Sequence, residues 1–176
     1  MIRYCHFAIF PPNRWVTGSF LHSNVLGWGF WIKVICVCVW GPDLGSRLPR
    51  FKPSWELALG LNDDVGQFVD AMIAKVERAP PGEMPNRCRC IGRKLIRSAF
   101  CLVMPVERIW TDDISLSAHL FAKHYPGQRD NIAKAARWAT NPTGTREEAL
   151  ELLQHLRVNI ASEFERKKEI HDGQRQ

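Results

Sequence analysis

The sequence predicts a mainly α protein: an up-and-down antiparallel bundle of about five helices, preceded by a residual strand and an irregular N-terminal segment. Two observations predict the bundle. Apolar residues recur at spacings of three and four through successive stretches of the chain. Pro, Gly and capping residues separate those stretches by short loops. A third observation sets the first 40 residues apart: they hold four of the seven tryptophans, three of the six cysteines and no acidic residue. The expected organisation is a divergent aromatic-rich segment over residues 1–40, a connector over 41–53, a helical domain over 54–171 and a tail over 172–176.

Within the first segment, residues 32–40 read I-K-V-I-C-V-C-V-W, a run rich in β-branched side chains that predicts one buried strand, ended by Gly41 and Pro42. Prolines and glycines make the connector irregular. Ser54 then caps a helix over residues 55–78, with Leu61, Val65, Phe68, Val69, Met72, Ile73 and Val76 at helical spacing. The loop A-P-P-G-E-M-P stops it. Asn86 caps a second helix, with Ile91, Leu95, Leu102 and Val103 on its apolar stripe, and Pro105 ends or kinks it. Thr111 caps a third, where Asp112 and Asp113 favour the positive helix end, and this helix stops near Tyr125 and Pro126. The fourth spans residues 127–140. The fifth opens on Thr145 and Glu148 in capping-box spacing and turns Leu150, Leu153, Leu156, Ile160 and Phe164 inward.

A chain of 176 residues with 45% hydrophobic and 24% charged residues is long enough for one core and too apolar for disorder. The six cysteines form two C-x-C pairs, Cys36 with Cys38 and Cys88 with Cys90, plus Cys5 and Cys101, without the spacing of a secreted disulfide framework or the turn geometry of a zinc knuckle. Residues 25–40 are too short, and interrupted by Lys33, to span a bilayer, and Pro11, Pro12, Asn13 and Arg14 break any signal-peptide run. The expected location is cytoplasmic, with no membrane partner. His119 and His124 stand five apart, off the spacing of a helical metal pair. The net charge of +6 is concentrated in Arg87, Arg89, Arg93, Lys94 and Arg97, a stretch free of acids.

An ordered series of segments carries a resemblance. W-G-P-D-L from Trp40, R-L-P from Arg47, R-K-L-I-R-S-A-F-C-L-V-M from Arg93, W-T-D-D from Trp110, F-A-K-H-Y-P-G from Phe121 and N-P-T from Asn141 follow one another along the chain. The series resembles the helical C-terminal part of small bacterial nucleotidyltransferases of the DNA polymerase beta superfamily, the aminoglycoside adenylyltransferase-like branch. Enzymes of that superfamily hold Mg²⁺ on a D-x-D pair that follows a Gly-Ser turn. Such carboxylates are needed because the ions neutralise charge on the leaving pyrophosphate. Here the acid cluster that follows Gly45-Ser46 is Asp63-Asp64, far downstream and on a predicted helix, so neither spacing nor strand context fits. The resemblance therefore implies a chain whose catalytic half is missing or replaced, as a truncated or frameshifted reading frame would leave it. It places no catalytic residue and no metal ligand here. Where the family pattern reads T-R-D, Asp112 replaces the basic residue.

The resemblance also implies that Arg93, Lys94 and Arg97 face a nucleoside triphosphate, and guanidinium forks suit phosphate oxygens. The competing reading is a solvated basic helix face. The expected function is a catalytically incomplete nucleotidyltransferase remnant. One alternative is the helical subunit of a two-chain enzyme whose partner supplies the catalytic sheet, and with it Mg²⁺ and the nucleotide; alone, the chain needs no cofactor. The other is a non-catalytic nucleic-acid-binding or antitoxin-like module, which charge alone supports. Self-association through an apolar face left bare by the missing sheet is a further expectation.

Overall fold

The computed structural model describes residues 23–62 and 64–173. Expectations that fall on residues 1–22, on Asp63 and on residues 174–176 lie outside the described residues. Among the described residues every regular element is a helix, in agreement with the mainly α bundle expected.

The strand expected over residues 32–40 does not form. Helix α1 (Ser23–Phe30) runs on into a π-helical turn, Trp31–Ile35, and residues 36–39 belong to no regular element. A strand needs a neighbour to take up its ladder N–H and C=O groups, and no described segment offers one. Residues 23–35 satisfy their backbone within a helix instead, and packing holds them there. Phe30 is buried in edge-on contacts with Phe51 and Trp110, ring centroids 5.8 and 4.5 Å away. Gly27 lets α1 approach the Gly60 carbonyl of α3 (Trp55–Asn62) closely enough that any Cβ would collide with it.

The connector contains one short helix, α2 (Leu44–Arg47), because the Asp43 carboxylate accepts the Gly45 N–H at 2.9 Å. Ser54 caps α3 as expected, its Oγ accepting the Leu57 N–H at 3.3 Å. The single helix expected over 55–78 is instead two, α3 and α4 (Val65–Arg78). At the end of α3, Asn62 is buried, and its side chain accepts the Ser98 hydroxyl at 3.0 Å and donates to the Cys101 sulfur at 3.1 Å.

Helix α5 (Met84–Glu107) is the axis of the molecule and packs against α3, α4, α6, α7 and α8. It starts two residues before the expected Asn86 cap, because the 3₁₀ turn Pro81–Glu83 feeds straight into it. Pro105 lies inside it without ending it. The helix ends two residues after that proline, at Glu107, and its C-cap Arg108, with a left-handed φ of 56°, returns its N–H to the Met104 carbonyl at 2.9 Å. Proline there disturbs only the last turn.

Helix α6 (Ile114–His124) is capped by Asp113, which accepts the Leu116 N–H at 2.8 Å; Thr111, the expected cap, instead accepts the Asp113 N–H at 3.1 Å. After a 3₁₀ turn, Pro126–Gln128, helix α7 (Arg129–Thr140) crosses α5 at Gly92. The capping box at Thr145 and Glu148 forms as the spacing predicts and opens α8 (Arg146–His155). A π-helical stretch, Leu156–Ala161, joins α8 to α9 (Ser162–Gly173). Residues four apart drift by about 40° per step in a straight α-helix. The wider π turn offsets that drift, so Leu152, Leu156, Ile160 and Phe164 all reach the core.

Candidate functional site

Arg93, Lys94 and Arg97 project from the middle of α5, where buried Ile91, Leu95, Ile96 and Ala99 fix the opposite face in the core. The structure thus brings the three basic residues onto neighbouring positions, and it gives each a different environment. The Lys94 ammonium bonds the Asp64 carboxylate at 2.6 Å and lies 5.6 Å from the centre of the Phe68 ring, so it ties α4 to α5. The Arg97 guanidinium sits 5.6 Å from the Trp31 ring centre, on the π turn that follows α1. Burial and then repulsion from Arg93 lower the Arg97 pKa, while the Asp112 charge opposes that shift. Arg93, one turn before Arg97, is exposed and makes no hydrogen bond or ion pair among the described residues. Two guanidinium groups therefore share one face at i, i+4 spacing, where like charges repel.

The other residues singled out by the sequence have local duties. Asp113 caps α6, and Asp64 holds Lys94. Cys88 and Cys101 are buried while Cys36, Cys38 and Cys90 are exposed, so the C-x-C pair on α5 is split between core and surface. Burial pushes the Cys101 thiol up to about 12 and raises Cys88 as well. No group of three metal-binding side chains occurs among the described residues. His119 is exposed; His124 bonds Glu107 at 2.5 Å beside Lys123 at 2.9 Å. Those contacts, the histidine first, hold the Glu107 carboxyl below the usual carboxylate range.

A second feature was not legible in the sequence. An open cleft of about 280 Å³ lies where the turn between α6 and α7 faces the π stretch. Phe121 and Tyr125, stacked with ring centroids 4.7 Å apart, line it with Asn159, Glu163 and Arg166. Glu163 accepts two hydrogen bonds from Arg166, each 2.7 Å, and one from the Tyr125 hydroxyl at 3.1 Å. Burial, then the Glu163 charge, push the Tyr125 phenol up to about 12, so it stays a donor. These groups satisfy one another, which reads as a lock between α6 and α9 rather than a vacant binding set. A proline-glycine corner and a π turn create the cleft, and neither signals a pocket in sequence.

Fold and site together define a helical bundle built around one long central helix that presents a basic face. No family model matches the chain, and no curated protein or solved structure matches it.

Proposed function

We propose that the chain is a catalytically incomplete helical domain of nucleotidyltransferase type that contacts a nucleoside triphosphate through Arg93 and Arg97. The supporting observation is the pair of guanidinium groups one turn apart on α5, close enough that Arg93 helps lower the Arg97 pKa. A polyphosphate bridging them would relieve that repulsion and accept two forked sets of N–H donors. Lys94 contributes its field rather than a contact, because Asp64 already holds its ammonium. The Trp31 ring under Arg97 steadies that side chain without using its N–H donors. Asp64 is committed to Lys94 and Asp113 to the α6 N-terminus, so neither is assigned to Mg²⁺.

Calorimetric titration of the whole chain with Mg²⁺-ATP, and with inorganic triphosphate, tests the reading. Saturable binding that weakens with salt and disappears in Arg93→Ala/Arg97→Ala, with Lys94→Ala still binding, is the expected result. Absence of binding at millimolar nucleotide, or binding untouched by the double substitution, refutes it.

A further inference from the structure

We propose that residues 36–40 form an interface strand whose partner is the same segment of a second copy of this chain. The segment C-V-C-V-W is β-branched and apolar, and Cys36 has extended backbone at φ −85° and ψ 148°. Residues 36–39 belong to no regular element and Trp40 opens a bend, where the Cys38 thiol donates to the Trp40 and Gly41 carbonyls at 3.6 Å; beyond the Cys36 N–H the segment makes no backbone–backbone hydrogen bond to another described segment. The patch is open: Val37 is 84%, Val39 78% and Trp40 95% exposed, with Val34, Ile35 and Leu44 partly exposed around them. At ~150–250 Å² for an aromatic side chain and somewhat less for an aliphatic one, these six expose on the order of 600 Å². That is the lower limit of the roughly 600–1,000 Å² per partner of a standard interface, reached when the whole patch is covered.

Charge selects the partner. Residues 34–42 carry no ionisable side chain except the thiols, in a chain of net charge +6. Two copies of a cationic protein repel over most of their surfaces and can meet best where charge is absent. The nearest cation, Lys33, is turned to the Gly45 carbonyl at 2.8 Å. No charged residue, proline or bulge within residues 36–40 guards the edge against pairing.

An antiparallel two-fold pairing has one register that uses all five residues, centred on Cys38. It sets Val37 against the second copy's Val39, Cys36 against its Trp40, and Cys38 against its own counterpart. Directly opposed residues have Cα atoms about 4.5–5.5 Å apart, inside the range a disulfide tolerates. That makes the register readable by cross-linking.

Sedimentation equilibrium of the full chain at tens of micromolar should show a reversible dimer, and the exposed-site substitution Val37→Asp should return a folded monomer. With Cys5 and Cys90 replaced by Ser, copper-phenanthroline and oxygen should join two chains, the two Cys38 thiols losing two protons and two electrons to the oxidant. Cys38→Ser should abolish that product and Cys36→Ser should leave it. A native monomer, a dimer that survives Val37→Asp, or a cross-link that depends on Cys36 instead of Cys38 overturns the proposal.

Discussion

Replacing Gly92 by Ala probes the contact on which the bundle turns. A Cβ at Gly92 would stand 2.5 Å from the Ala135 carbonyl oxygen and 2.8 Å from the Ala139 nitrogen, both backbone atoms of α7 that cannot rotate away. Ordinary contact begins at 3.4 Å, so α5 and α7 would have to part by up to 0.9 Å. A gap of ~0.5–1 Å forfeits a quarter to a half of the dispersion energy of the contacts it opens. Overpacking a core of this kind costs about 1–3 kcal/mol. Alanine also favours the helix interior over glycine by about 1 kcal/mol, which offsets part of the loss. The net expectation is a destabilisation of up to about 2 kcal/mol relative to the native chain, read as a fall of up to roughly 1 M in the urea midpoint at unchanged slope. Gly66→Ala is the control, because nothing stands within 4 Å of a Cβ there. It should be neutral or stabilising by up to ~1 kcal/mol. A Gly92→Ala variant as stable as Gly66→Ala would refute the close crossing of α5 and α7.

Asn62→Ala should cost about 1–3 kcal/mol by leaving the fully buried Ser98 hydroxyl without its acceptor. Adding Ser98→Ala should recover part of that loss, and chemical denaturation showing the two costs simply adding would refute a shared network. Because Glu107 is held below its ordinary pKa of 4.5 when folded, its contribution is complete above that value and is lost as pH falls through the folded pKa. Glu107→Gln should therefore flatten the fall in urea midpoint on acidification below about pH 4.5; a variant with the native acid slope would show that His124 and Lys123 do not stabilise the ionised carboxylate.

The sequence by itself determined what depends on local chemistry. The apolar stripes of α4, α5 and α8, the Ser54 cap and the Thr145–Glu148 capping box were legible because each needs only residues within a few positions of one another. Thr111 is the α6 cap that the sequence predicts, but Asp113, two residues on, takes that place, since a hydroxyl and a carboxylate are both good acceptors for a helix N-terminus. The tertiary structure decided everything that depends on a distant partner. Residues 32–40 have strand propensity but no strand to pair with, so Phe30 contacts and the Gly27 crossing keep residues 23–35 helical. Asn62 finds its side-chain partners in Ser98 and Cys101, far away on α5, which no local spacing signals. The basic triad was visible as a charge run. Only packing separates Lys94, tied to Asp64, from Arg97 over Trp31 and from exposed Arg93, since the ions and rings that claim the first two come from α4 and the turn after α1.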